Sequence, residues 1–111
     1  MARIFDRMVS KDDIRTFHED GAVCLRGLLS QEWLDLLAEG FEQAVASPGP
    51  FSKSYGPAGA PRYYTDHRLF NRFEPFRRFL FEGPTAQVAA EIFDAERLDL
   101  YDEHLLIKEP G

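Results

Sequence analysis

Asp102, His104, Leu106 and Lys108 occupy alternate positions near the end of the sequence. In an extended chain alternate residues share a face, so a carboxylate, an imidazole and an ammonium group gather there around one leucine. Such a face is unusual for a core strand and suits the wall of a polar pocket. Tyr101, Glu103, Leu105 and Ile107 make up the other face. Lys108 reads either as a group that positions the carboxylate of a bound molecule or as a strand-end lysine in solvent.

The element that must present these residues is a strand over 97–108, rich in Leu98, Leu100, Tyr101, Leu105, Leu106 and Ile107. Pro110-Gly111 punctuates it as a turn. A strand followed by a turn leads to a partner, so the sequence reads as the front part of something larger. Residues 1–9 carry no periodic signal and are expected to form a loose arm. Ser10 with Asp13 forms a capping box that opens a helix to about Asp20, with Ile14 and Phe17 as its buried stripe and Gly21 as its left-handed stop. Ala22 to Arg26 reads as a short strand placing Cys24 inside.

Ser30 caps the next helix, from Gln31 to Ala46. Its apolar positions Trp33, Leu36, Leu37, Phe41, Ala44 and Val45 recur at three and four residues. Trp33, Leu37 and Phe41 are expected to be buried on one side. Residues 47–61, dense in proline, glycine and serine, read as a loop. Arg62-Tyr63-Tyr64-Thr65 is a short β-prone run. Phe70, Phe73, Phe76, Phe79 and Leu80 keep helical spacing, and Pro75 requires a helix start or a kink beside it. The last helix spans Thr85 to Phe93 after Gly83-Pro84, with Val88, Ala89, Ile92 and Phe93 as its apolar face. Residues 10–111 are read as one α+β unit.

The composition narrows the function classes. With 111 residues, 44% of them apolar, and ten Phe, four Tyr and one Trp, a packed core is affordable. A formal charge of -6 argues against nucleic acid or an anionic membrane as the main partner. No apolar run approaches the ~18 residues of a membrane span. Met1 to Asp6 lacks the apolar core of a signal peptide, and the single cysteine, Cys24, cannot form an internal disulfide. The setting expected from these features is cytoplasmic. There is no Gly-rich phosphate loop, no cysteine pair for zinc and no Ser-His-Asp arrangement.

Phe17-His18-Glu19-Asp20-Gly21-Ala22-Val23-Cys24-Leu25-Arg26-Gly27-Leu28-Leu29-Ser30 and Tyr101-Asp102-Glu103-His104-Leu105-Leu106-Ile107-Lys108-Glu109-Pro110-Gly111 form a recognisable pair. Between them lie Thr65-Asp66 and Phe76-Arg77-Arg78-Phe79. In this order they resemble the phytanoyl-CoA dioxygenase family of iron(II)- and 2-oxoglutarate-dependent oxygenases, over most of the chain from about residue 11. The resemblance implies a double-stranded β-helix, or jelly-roll, with N-terminal helices packed on its outer sheet. The family holds iron with a His-x-Asp and a distant His, the His-x-Asp following shortly after the Lys-x-Pro-Gly turn. The sequence in hand matches the part before that motif, so its jelly-roll barrel is expected to be incomplete. No iron ligand or catalytic residue is assigned to it, and neither cofactor is expected to bind it tightly.

By the same resemblance His104 faces the 2-oxoglutarate pocket, Lys108 orients a carboxylate, and Arg62, Tyr63 and Tyr64 match a stretch lining that pocket. The plainer alternatives are a half-buried histidine bonded to a carbonyl and a set of core aromatics. His18-Glu19-Asp20 spells His-x-Asp, but on a helix such residues sit about 200° apart, and it reads as a solvated helix end. His18, His67 and His104 fall on three different expected elements, so iron(II) should bind this chain weakly or not at all. Two functions follow. One is the N-terminal part of a hydroxylase acting on a small organic substrate, inactive by itself. The other is a small non-catalytic α+β interaction module whose exposed strand edge drives association.

Overall fold

The computed structural model describes residues 7–111. Four α-helices, one 3-10 turn and three strands follow one another in an α+β arrangement: α1 (Lys11–Asp20), α2 (Gln31–Ala46), β1 (Lys53–Tyr55), β2 (Tyr63–His67), the 3-10 turn Leu69–Asn71, α3 (Glu74–Glu82), α4 (Thr85–Phe93) and β3 (His104–Lys108). The strands form one open antiparallel sheet in the order β1-β2-β3. Among the described residues no helix is long and apolar enough to cross a membrane.

Local chemistry sets the helix ends. Ser10 Oγ accepts from the Asp13 amide at 3.0 Å while the Asp13 carboxylate accepts from the Ser10 amide at 3.4 Å, completing the capping box. Gly21 takes φ 79° and its amide closes α1 on the Phe17 carbonyl. Ser30 Oγ caps α2 through the Trp33 amide. Pro75 lies in the first turn of α3, where its missing N–H costs nothing, so it starts a helix instead of kinking one.

Two apolar clusters hold the elements together. Val9, Val88 and Ile92 gather Ile14, Phe17, Val23, Leu25 and Leu28 around them. Of the arm expected over residues 1–9, residues 1–6 lie outside the described residues. Val9, however, is 1% exposed, and the Met8 amide donates to Glu91 Oε1 at 2.9 Å, so this end is docked on α4. Ala44, Leu69 and Phe76 form the second cluster with Leu37, Phe70, Phe73 and Leu105, which ties α2 and α3 to the sheet.

The expected strand Ala22–Arg26 does not form. Its alternation is real, since Val23 and Leu25 pack inward while Ala22, Cys24 and Arg26 face out. Among the described residues it has no strand beside it to pair with, and Cys24 is exposed rather than buried. In α2 the fully buried residues are Gly40 and Ala44, while Trp33, Leu37 and Phe41 are half-buried, Trp33 edge-on to Phe79 at 5.8 Å. In α4 Phe93 is 56% exposed although its ring meets Phe17 edge-on.

Gly40 is where α2 meets α3. A Cβ there would lie 2.9 Å from Pro75 Cβ and 3.1 Å from the Phe76 ring. Alanine is the better helix former by about 1 kcal/mol, but the proline ring cannot swing aside. Gly40→Ala is therefore expected to destabilise by about 1–2 kcal/mol net, as overpacking of a tight contact does. Urea titration checks this, and a stabilised variant would mean that α2 and α3 are not in close contact here.

Candidate functional site

The site begins with strand pairing. Tyr63 stands opposite Lys108, Tyr64 opposite Ile107, Thr65 opposite Leu106, Asp66 opposite Leu105 and His67 opposite His104. Directly paired residues share a face. One face of the sheet therefore carries Tyr64, Asp66, Leu105 and Ile107 toward the helices. The other carries Tyr63, Thr65 and His67 beside His104, Leu106 and Lys108. Leu106 is 61% exposed, so this second face is uncovered. Among the described residues no carboxylate lies within ion-pair distance of Lys108.

The strand expected over 97–108 is hydrogen-bonded only over its second half. β2 ends at His67, opposite His104, and Arg68 then turns the chain away at φ 57°. Residues 97–103 consequently lack a partner strand. Leu98 and Leu100 are exposed, and Tyr101 is 100% exposed. Glu103 keeps its expected side: its Oε1 accepts from the Leu69 and Phe70 amides and anchors the 3-10 turn.

At the end of the polar face three side chains converge. His67 Nδ1 lies 3.2 Å from Asp102 Oδ2, and His104 Nε2 lies 3.5 Å from the same oxygen. The other carboxylate oxygen, Oδ1, accepts from the Glu103 amide at 2.9 Å, which fixes the carboxylate's direction. The two imidazole rings meet edge-on with centroids 5.0 Å apart, and the Phe51 ring lies 4.8 Å from His67 on its other side. Burial alone pushes the Asp102 carboxyl up. The Glu103 amide, the His67 hydrogen bond and the charge of both imidazoles more than reverse this and hold it below the usual carboxylate range. With the native value depressed, these contacts stabilise the fold at neutral pH, and that contribution is lost as pH falls through it.

The three histidines do lie on three different elements, α1, β2 and β3. Two of those elements are neighbours, however, and the register of β2 on β3 places His67 directly across from His104. The available signal was the β-prone run at Tyr63, which continues two residues further than expected, to His67. His18 stays apart, its Nε2 3.0 Å from the Ile92 carbonyl.

Arg62 and Tyr64 do not join the face of His104 and Lys108. Tyr64 is buried on the helix side, its hydroxyl 3.0 Å from Ser52 Oγ and 3.3 Å from Asp66 Oδ2. Arg62 pairs with the Glu109 carboxylate at 3.0 Å, its amide donates to Glu109 Oε2, and its carbonyl accepts from the Glu109 amide, closing the end of the sheet. Tyr63, the residue between them, is the one beside Lys108.

Comparison with protein-family models, with curated proteins and with solved structures finds no match.

Proposed function

We propose that this chain is the N-terminal part of an iron(II)- and 2-oxoglutarate-dependent oxygenase domain of the phytanoyl-CoA dioxygenase type. Such a domain couples oxidative decarboxylation of 2-oxoglutarate to hydroxylation of a small organic substrate. In this reading the open sheet is the start of the jelly-roll barrel, the helices lie outside it, and the protein works in the cytoplasm. The observation that carries it is the two-sidedness of β3. Leu105 and Ile107 turn to the helices, while His104 and Lys108 stand exposed on the opposite face, on the very segment that bears the family resemblance.

The surface of the molecule supports the same reading. A compact chain of this mass exposes roughly 6,200 Å², whereas this one exposes 8547 Å². Its radius of gyration is 16.5 Å, against about 13 Å for a compact domain of this length. Closure of a barrel over the polar face would cover much of the excess.

The residues present do not supply the family's iron set. The one His-x-Asp, His18 to Asp20, closes α1 with His18 turned to the Ile92 carbonyl, far in sequence from the sheet. No step is assigned to iron on these residues. What they offer the reaction is a cation and an imidazole for the cosubstrate's carboxylates, Lys108 as an unpaired charge and His104 as a hydrogen-bond donor.

The coding sequence tests this reading. A frame continuing past the Gly111 codon to a His-x-Asp shortly beyond it is the expected result. A stop codon in that place would overturn the reading in favour of a non-catalytic module that pairs through the free edge of β3.

A further inference from the structure

Asp102 and His104 are two residues apart where the chain enters β3, the spacing at which two side chains of an extended chain can grip one ion. His67 completes the group from the neighbouring strand, since it is the direct partner of His104 in the register. One ligand atom from each of the three residues lies within 4.8 Å of the others. Ligands bound tetrahedrally at ~2.0–2.2 Å from zinc stand about 3.4 Å from one another. The distances from Asp102 Oδ2 to His67 Nδ1 and to His104 Nε2, 3.2 and 3.5 Å, bracket that value. Only the gap between the two imidazoles has to close.

The surroundings favour a metal in two further ways. The Asp102 oxygen facing away from the histidines is tied to the Glu103 amide, so Oδ2 is held toward them, as a supporting hydrogen bond holds a metal ligand. Side-chain exposures of 34% for His67, 21% for Asp102 and 61% for His104 leave an approach from solvent. The three donors thus form a wall with open positions on the outer side.

We propose that His67, Asp102 and His104 bind a single divalent transition-metal ion. Two imidazoles and one carboxylate are a donor set suited to zinc or iron(II), and poorly suited to magnesium or calcium, which favour all-oxygen shells. The site reverses the order of the oxygenase family's motif: the acid precedes the histidine, just ahead of β3, and the distant histidine lies before both. It does not rest on the oxygenase reading, although the two share His104.

Cobalt(II) titration of the 111-residue chain, followed by visible absorption and by displacement with zinc(II), tests the proposal. The expected result is saturation at one equivalent. His104→Ala and Asp102→Asn should each weaken the affinity by about 100-fold or more, since loss of a mere supporting group already costs ~10–100-fold. His104 is exposed, so its replacement leaves the fold intact, and circular dichroism verifies that for both variants. Lys108→Ala and His18→Ala should bind as the parent does, which separates this site from the carboxylate role of Lys108. Absence of saturable binding, or an affinity in His104→Ala and Asp102→Asn equal to the parent's, would overturn the proposal.

Discussion

Replacing Asp66 by alanine is expected to destabilise the fold by about 2–4 kcal/mol, the cost of breaking a buried pair by removing one partner. Asp66 is 1% exposed and each of its oxygens is engaged. Oδ1 accepts from the His67 amide at 2.8 Å. Oδ2 takes the Ser52 hydroxyl at 2.8 Å and the Arg72 guanidinium at 3.3 Å, with the Tyr64 hydroxyl beside it. Without the carboxylate these donors are left facing one another with no acceptor between them. The figure stays below the top of the range for buried pairs because the Arg72 side chain is 25% exposed and keeps its bond to the Ser47 carbonyl. Arg72 reaches that carbonyl only because Gly49 leaves room, any Cβ there colliding with the guanidinium. Asp99→Ala, which removes an acid paired with Arg97 at the surface, should change stability by less than ~0.5 kcal/mol. Urea titration of both variants decides it, and equal, small losses would mean that the Asp66 knot is solvated.

This knot shows why part of the fold was hidden in the sequence. α1, α2 and α4 were legible because their caps and apolar spacing are local signals. Ser10, Ser30, Gly21 and Pro84 sit where the backbone chemistry requires them. β1 was hidden in a stretch dense in proline and glycine. Its three residues, Lys53 to Tyr55, are a strand only because β2 lies beside them. The converse holds for Ala22 to Arg26, which has strand alternation and no partner.

The site followed the same rule. Alternation along β3 correctly sorted His104, Leu106 and Lys108 from Leu105 and Ile107. The faces of Arg62, Tyr64 and His67 depend on register across β2 and β3, which one strand read alone does not contain. Asp66 illustrates the limit: a charged residue was no candidate for the core until Ser52, Tyr64 and Arg72 were seen around it.

The second large effect follows from the proposed oxygenase reading and concerns 2-oxoglutarate, in a chain extended through the barrel that this reading implies. Lys108→Ala is expected to raise the KM for 2-oxoglutarate about 10-fold or more, the loss of a charge-assisted contact of about 1.5–3 kcal/mol. His104→Ala should do the same. Folding should be little changed by Lys108→Ala, because the residue is exposed at the end of β3, beside Tyr63 and before the Glu109-Pro110-Gly111 turn. His104 also belongs to the proposed metal site, so Lys108 is the cleaner probe of carboxylate binding. Steady-state kinetics of 2-oxoglutarate turnover in these two variants tests the central claim most directly. A raised 2-oxoglutarate KM in Lys108→Ala, with metal affinity unchanged, is the result the proposed reading predicts. An unaltered KM in both variants would contradict it and reduce the polar face of the sheet to ordinary strand chemistry.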